Sequence, residues 1–441
     1  MNRTSSLLAL ALLLGGCTAL VPNGTNSIKS GEPDSTSTTG STADLYALGI
    51  VGAKSLFIAG STSAGKYQVL SNVQGNLYRQ DEDGKVLPVQ ATDASGSQLA
   101  SSPTANYIGA VGDFIYASLK SGSYFVRKSD GKVVRFDGPF YNSFSSNQPA
   151  PAQNPIQASG KGTYFYSFNG ALVRITAPTF STTSLLGFRV QGDSDAITKT
   201  VLTNSSLERT AEDVAVNQNG DALVAVAKAG SNNGKWVNRL YKADGGAVNV
   251  GLGDWNLAIN NWVGKDGHFY SFVTTQGDAG AFQIVLNPDG SVSRTIVPGS
   301  EFLNGSMWLR ADLSDRNVFA SGFDANLYLF KGMQCNRITL EKITKFSQVQ
   351  ASGNTLYVLG QDSLGNSVIE TVNPDTGEEK TFFSNADFEI FAYSVTAADQ
   401  VTVSALRLSD NTYVVGTVGT DGILSVTSSS LPEVTSILPL L

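Results

Sequence analysis

Few residues of this 441-residue chain belong to the types that carry out chemistry. His268 is its only histidine, and it follows the pair Asp266-Gly267. A histidine there could act as a general base, and the alternative is a polar residue that only begins a strand. The chain has no Gly-x-Ser-x-Gly sequence, the turn that exposes a serine nucleophile. With two cysteines and one histidine, the sequence predicts no His/Cys metal site, and it indicates no cofactor.

Aromatic residues in the middle of the chain are the better indication of binding. Trp255, Trp262 and Trp308 lie in one stretch, with Asn261 beside the second of them. An exposed tryptophan can stack on a sugar or anchor a protein partner, and an adjacent asparagine can add polar contacts. Packing inside the core is the alternative for each tryptophan. We take these four residues and His268 as the candidate binding residues.

The first residues are typical of an export signal. Arg3 supplies a positive start, and an apolar run at 7–14 is too short to span a bilayer as a helix. The run ends in Leu14-Gly15-Gly16-Cys17. One interpretation of this segment is an ordinary secretory signal with an incidental cysteine.

The ending Leu14-Gly15-Gly16-Cys17 also resembles the lipobox of bacterial lipoproteins. The resemblance implies that residues 1–16 are removed, that Cys17 receives a thioether-linked diacylglycerol, and that the chain is anchored in a lipid bilayer. Thr18, rather than an aspartate, follows the cysteine. By analogy with sorting in Gram-negative bacteria, this favours the outer membrane. It leaves open which membrane face carries the body.

Composition narrows the class of protein further. Lys and Arg total 30 against 37 Asp and Glu, a net charge of −7, which argues against a nucleic-acid partner. Charged residues make up only 15% of the chain, and there are 45 glycines, a composition typical of strands and tight turns. Residues 17–44 are rich in Ser, Thr and Gly, so we expect a flexible linker after the lipidated cysteine.

From residue 45 onward, short β-rich segments recur with a mean spacing of about 49 residues. The recurring pairs are Leu56-Phe57, Ile115-Tyr116, Phe165-Tyr166, Leu223-Val224, Phe269-Tyr270, Val318-Phe319, Leu356-Tyr357 and Val401-Thr402. A hairpin turn follows most pairs, as at Asp130-Gly131 and Asp289-Gly290, because Asp-Gly suits a turn that needs positive φ. Both landmarks count eight repeats of about four strands each.

This period predicts an all-β fold, a single β-propeller of about eight four-stranded blades, with seven as the alternative. We place the propeller at 45–431 and a C-terminal tail at 432–441. The first repeat is expected to open with its inner strand near 45–51, and the last to close with an outer strand near 423–426. The chain ends would then meet by packing, without sharing a strand.

The signal, linker and repeated hairpins together resemble bacterial lipoproteins with a β-propeller body. The segment 373–383, with its Asp-x-Thr-Gly turn, is similar to one repeat of quinoprotein-like propellers. In its expected fold and membrane location, the chain resembles the propeller lipoprotein of the outer-membrane protein assembly machinery. The resemblance implies a propeller held at the outer membrane by Cys17.

These observations favour a non-catalytic scaffold that binds an envelope protein or polymer. A glycan hydrolase or lyase is the first alternative, using paired carboxylates in the central funnel. A sugar or small-molecule sensor is the second. Long connections near 90–104, 137–155 and 176–211 are expected on one face of the propeller, which would then be the interaction face.

Overall fold

The chain builds a ring of β-sheets. The computed structural model describes residues 45–60, 75–93, 95–136, 157–159, 163–168, 171–176, 199–201, 208–228, 236–250, 260–274, 279–301, 307–321, 325–395, 400–429 and 431–440. The signal, Cys17 and the linker lie outside these residues. The described residues are folded into strands and turns, and none of them forms a helix long and apolar enough to cross a membrane.

The strands are short, as the repeated β-rich segments predict. In chain order they are β1 (Leu45–Leu48), β2 (Ser55–Ala59), β3 (Gly75–Gln80), β4 (Val86–Pro88), β5 (Ala91–Asp93), β6 (Thr104–Val111), β7 (Phe114–Leu119), β8 (Gly122–Arg127), β9 (Val133–Phe136), β10 (Gln157–Ala158), β11 (Thr163–Phe168), β12 (Ala171–Thr176), β13 (Lys199–Val201), β14 (Glu208–Val216), β15 (Ala222–Lys228), β16 (Trp236–Tyr241), β17 (Ala247–Asn249), β18 (Asn260–Val263), β19 (Phe269–Thr274), β20 (Ala279–Leu286), β21 (Val292–Ile296), β22 (Met307–Asp312), β23 (Asn317–Ser321), β24 (Asn326–Lys331), β25 (Gln334–Thr339), β26 (Lys345–Ser352), β27 (Thr355–Gln361), β28 (Ser367–Val372), β29 (Glu379–Ser384), β30 (Phe388–Val395), β31 (Val401–Arg407), β32 (Thr412–Val418), β33 (Leu424–Ser428) and β34 (Val434–Pro439).

Eight antiparallel four-stranded units form the blades of a β-propeller. Blade 1 has the order β34-β2-β3-β4, and blades 2 to 8 are β6–β9, β10–β13, β14–β17, β18–β21, β22–β25, β26–β29 and β30–β33. Blades 1 and 2 are also joined where β3 pairs with β6 at one end. We call the four strands A to D in the order given. The predicted count of eight is confirmed, and all eight recurring pairs lie on B strands.

Antiparallel order fixes which turns share a face. AB and CD turns lie on one face, and BC turns lie on the other together with the DA connections between blades. The CD turns form as the Asp-Gly pairs predict. At Asp289-Gly290, the aspartate Oδ1 accepts the amide of Ser291 at 2.9 Å, and the glycine has φ +82°.

The C-terminal residues correct the prediction of a tail at 432–441 and of ends that share no strand. Strand β34 pairs along β2, with Phe57 opposite Ile437, and supplies the innermost strand of blade 1. Val434 and Ile437 are buried there against blade 8. The ring is therefore closed by hydrogen bonds between the two ends of the propeller, because an unpaired β2 would expose its inner edge.

The segment expected as the first inner strand lies instead at the outer rim. Strand β1 pairs with β5, and the Leu48 amide donates to the Gly131 carbonyl at 2.9 Å, in the CD turn of blade 2. The Gly49 amide donates to the Gln90 backbone carbonyl at 2.7 Å. Strand β1 thus connects the outer parts of blades 1 and 2.

The long segment at 176–211, predicted to connect two repeats, also differs from the prediction. Strand β13 falls within 176–211 and pairs with β12, so the first part of this stretch lies within blade 3 and does not connect two blades. Strands β9 and β10 belong to different blades, so the chain passes from one blade to the next within 137–156, as expected. These connecting residues lie outside the described part.

Apolar side chains from neighbouring blades form the core between them. One cluster joins blades 6 and 7 through Leu327, Leu329 and Val358, and another joins blades 7 and 8 through Ile369 and Val403. All five are fully or nearly fully buried. Each such side chain contributes about 1.5–3 kcal/mol on leaving water, so the ring is held by blade-to-blade packing.

Candidate functional site

Two of the predicted binding residues lie in the core. Trp262 is fully buried and stacks on Tyr270 with ring centroids 5.4 Å apart, and its ring also meets Phe319 at 4.8 Å. Asn261 is buried as well, and its Nδ2 donates to Asn238 Oδ1 at 3.3 Å. Neither side chain can meet a ligand at the surface. For both, packing between blades replaces the prediction of a binding role, because residue type alone did not fix the direction of the side chain.

The other tryptophans and the lipidation residue stay predictions. Trp255 and Cys17 lie outside the described residues. Trp308 belongs to β22, but its side chain is outside the described part. The remaining thiol is described: Cys335 is buried, and burial with the nearby Glu301 charge raises its pKa to about 12. A thiol with that pKa is not a nucleophile near neutral pH.

His268 does lie at the surface, in the AB turn of blade 5, with 47% of its side chain exposed. Its Nδ1 is 3.3 Å from Asp266 Oδ2, and its backbone amide donates to Asp266 Oδ1 at 3.2 Å. Tyr270 donates from its hydroxyl to Asp266 Oδ2 at 2.7 Å, and Gln283 Nε2 donates to that hydroxyl at 3.0 Å. Asp266 is therefore the hydrogen-bond acceptor that the polar groups of this turn share.

The sequence requires this turn to be compact. A Cβ at Gly264 would come within 2.5 Å of both Asp266 Oδ1 and the Tyr270 ring. Burial and the hydrogen bond to Asp266 raise the pKa of Tyr270 far above its usual value, so the hydroxyl stays protonated and keeps donating. A His-Asp pair can hold a general base in one tautomer, but the groups that touch this pair are a protonated tyrosine and an amide. The contacts of Asp266 therefore stabilise the turn.

A carboxylate on the inner strand of blade 6 bears on the hydrolase alternative. Asp312 accepts two hydrogen bonds from Arg310, at 3.1 and 3.0 Å, and one from Asn317 at 2.7 Å. Burial acts to raise the pKa of Asp312, but the Arg310 charge and these hydrogen bonds outweigh it, and the pKa is lowered. An acid catalyst of a glycosidase needs the opposite shift. In the described part of the chain, no three His, Cys, Asp or Glu side chains group as a metal site.

Blades 6 and 7 are tied on the AB/CD face by an ion-pair network around Arg316. This buried guanidinium donates to Asp315 at 2.8 and 2.9 Å and to Asp375, in the next blade, at 2.7 Å. Lys331 adds a bond to Asp315 at 2.8 Å, and Asn354 adds one to Asp375 at 2.9 Å. The network joins strand ends that the core between the blades already brings together.

The Arg316 network predicts a pH-dependent stability. Its hydrogen bonds from Arg316 and Lys331 lower the pKa of Asp315, and those from Asn354 and Arg316 lower the pKa of Asp375. A carboxyl group whose pKa is lowered by folding stabilises the folded state at pH values above its unfolded-state pKa of about 3.9. This stabilisation is lost as the pH falls through the lower pKa of the folded state.

We therefore expect Arg316→Gln to destabilise the protein more at pH 7 than at pH 3. Urea unfolding of both proteins at the two pH values measures the difference. A loss of stability of the same size at both pH values would show that the carboxylates do not contribute through their charge.

The BC/DA face carries a feature that the sequence analysis missed, two leucines exposed on BC turns. Leu364 is 84% exposed in the turn 362–366 of blade 7, and Leu408 is 47% exposed in the turn 408–411 of blade 8. We call these the leucine turns. Their signal in the sequence is an apolar residue inside a short Asp- and Asn-containing turn, at Asp362-Ser363-Leu364-Gly365-Asn366.

The leucine turn of blade 7 is held firmly. Asp362 Oδ1 accepts the amides of Leu364 and Asn366, both at 2.8 Å, and Gly365 takes φ +84°. Thr344, in the DA connection before the blade, donates from its hydroxyl to the Asp362 carbonyl at 3.2 Å. The backbone that carries Leu364 is thus fixed from within the turn and from the neighbouring connection.

The leucine turn of blade 8 has the same kind of support. The Leu408 amide donates to the Asp387 carbonyl at 2.7 Å, and Ser409 donates to the Asp387 carboxylate from its amide and its hydroxyl, each at 2.8 Å. Asp387 belongs to the DA connection before the blade. Each of two adjacent blades therefore carries an exposed leucine on a turn whose backbone is fixed by hydrogen bonds. A fixed backbone reduces the conformational entropy that is lost when a partner binds.

Comparisons with known proteins agree with the architecture. Two solved structures of AztD from Citrobacter koseri, one of them the apo form, align with a TM-score of 0.51 at 12% and 13% identity. Each alignment covers 89% of this chain and 97% of the other. No family model matches the chain, and neither does a curated protein. At this level of identity the likeness supports the β-propeller fold alone.

Proposed function

We propose that the chain is an envelope lipoprotein, anchored by Cys17 in the outer membrane, whose propeller binds a protein partner through its BC/DA face without catalysing a reaction. The observation that carries the proposal is the pair of exposed leucines on braced turns of adjacent blades. An exposed apolar side chain on a backbone that is already fixed offers area that a partner can bury at a low cost in conformational entropy.

The chemistry of the site favours a protein over a glycan. Sugars are bound by aromatic rings and convergent polar groups, whereas two leucines offer only apolar contact. Trp262, the described member of the three tryptophans that could have served a glycan, is in the core. A glycan hydrolase, a lyase and a sugar sensor remain the alternatives for which the described residues give no comparable observation.

The test is crosslinking in intact cells with an affinity-tagged full-length chain that keeps Cys17, followed by quantitative mass spectrometry. We expect the double variant Leu364→Asp, Leu408→Asp to lose the main crosslinked envelope protein by at least about tenfold. Burial of one leucine contributes about 1.5–3 kcal/mol, and 1.4 kcal/mol corresponds to a factor of ten.

Two controls separate binding from folding and from anchoring. Val51→Asp changes another exposed apolar residue, 51% exposed at the outer rim, and should leave the partner in place. Cys17→Ala should release the protein from the membrane fraction. Equal recovery of the partner with the double variant and with wild type would contradict the proposed site.

A further inference from the structure

The outer strand of blade 8 is an open sheet edge. Strand β33 is the last of its sheet, and within the described residues no other strand pairs with its outer side. A free edge of this kind offers unpaired backbone groups to another strand, and natural proteins usually block it with a charge, a proline or a very short strand.

The other blades of this propeller follow that rule on their outer strands. The blocking features are Pro88 in β4, Arg135 in β9, Lys199 in β13, a length of three residues in β17, Arg294 in β21, Arg337 in β25 and Lys380 in β29. Strand β33 reads Leu-Ser-Val-Thr-Ser over five residues and has neither a charge nor a proline. Blade 8 is therefore the exception in lacking a charge, a proline or a very short outer strand, and a bulge at Thr427 interrupts only the end of β33.

Exposed apolar side chains accompany the open edge. Val426 in β33 is 41% exposed, and Ile423, directly before the strand, is 62% exposed. Residues 424–426 pair in regular register with β32 before a bulge at Thr427, whose hydroxyl donates to the Val415 carbonyl at 3.1 Å. The regular part of the edge is short and centred on Ser425.

We propose that β33 pairs antiparallel with β33 of a second copy of this chain, so that two blades 8 form one continuous sheet across a two-fold axis. A two-fold antiparallel pair places the central residue opposite its own symmetry mate, and each residue before it opposite the residue equally far after it in the other copy. Centred on Ser425, the pairing sets Leu424 opposite Val426, an apolar pair on the same face of the sheet.

The charges near the edge are compatible with a second copy. Asp421, the nearest charged residue, lies before β33 and outside the regular pairing at 424–426, so no like charges face each other within that pairing. The charges on the outer strands of blades 2, 3, 5, 6 and 7 would oppose such self-pairing or block the edge. The second copy is therefore the occupant that the sequence of this edge fits.

Disulfide trapping tests the pairing on the full-length chain in detergent. Ser425→Cys places one thiol at the two-fold axis, where Cα atoms of paired residues lie about 4.5–5.5 Å apart, within disulfide range. We expect mild oxidation to give a disulfide-linked dimer as the main species. Ser293→Cys, an exposed position on the blocked strand β21, is the matched control and should stay monomeric.

Sedimentation of the unmodified protein supplies the second readout. We expect a dimer that Ser425→Lys converts to monomer and that Ser293→Lys leaves intact. A monomeric wild type, or a dimer that survives Ser425→Lys, overturns the proposal. The double variant Leu364→Asp, Leu408→Asp should keep the dimer, so failure of the proposed partner site and failure of the edge pairing are distinguishable.

Discussion

A chain that ends at residue 431 is expected to lose the cooperative folding of the propeller. The truncation removes β34, which supplies the inner strand of blade 1 and buries Val434 and Ile437 against blade 8. Burial of two such side chains contributes about 3–6 kcal/mol, and the hydrogen bonds along β2 are lost as well. This is comparable to the net stability of about 5–15 kcal/mol of a whole domain.

Urea unfolding followed by circular dichroism measures this effect. Removal of Leu441 alone is the control and should leave the transition midpoint unchanged. The truncated chain should show no cooperative transition, or one at a much lower urea concentration. A wild-type midpoint for the chain that ends at residue 431 would contradict closure of the ring by β34.

The second large effect is expected for Gly131→Ala, in the CD turn of blade 2. A Cβ at this position would lie 2.1 Å from the Leu48 carbonyl oxygen, so β1 would have to move away from blade 2. The backbone also has φ +72°, which costs an alanine about 1–2 kcal/mol. We expect Gly131→Ala to lower the free energy of unfolding by at least about 2 kcal/mol more than the φ cost alone.

Gly290→Ala isolates that φ cost. Gly290 occupies the same turn position in blade 5 with φ +82°, and a Cβ there meets no atom within 4 Å. Hydrogen exchange at the Leu48 amide, which donates to the Gly131 carbonyl, gives an independent readout. Equal losses of stability for the two variants, with Leu48 still protected in Gly131→Ala, would show that β1 does not depend on this contact.

The repeating part of the fold could be predicted from sequence because its signals are local. Each Asp-Gly turn needs only its own few residues, and the paired apolar residues of the B strands recur with the blades. Both signals predict eight blades, and the described residues form eight. The fold class therefore follows from short-range chemistry repeated along the chain.

Ring closure could not be predicted in the same way. Strand β34 pairs with a strand about 380 residues earlier, where Thr435 donates to the Ile58 carbonyl at 3.4 Å. Nothing within 432–441 distinguishes a short apolar tail from a strand that lacks a local partner. Likewise, β1 has the composition of an inner strand, and only its long-range contact with Gly131 places it at the rim.

The candidate site was harder to predict than the fold, because residue type does not fix exposure. Trp262 and Asn261 suggested a binding surface and proved to be core residues, since Trp262 packs against blade 6 and Asn261 bonds to blade 4. Leu364 and Leu408 were not predicted as site residues, although leucine inside a short polar turn is unusual. Each turn is also held by hydrogen bonds to the preceding DA connection, and these are tertiary contacts that the local sequence does not show.

Site-specific photocrosslinking tests the central claim most directly, that the propeller is an anchored binding body with its partner on the BC/DA face. A photoreactive phenylalanine analogue is placed at position 364, 408 or 51 of the full-length chain in intact cells. We predict the same crosslinked envelope protein from positions 364 and 408, and none from position 51. Crosslinks from position 51 alone, or none from either leucine position, would contradict the account.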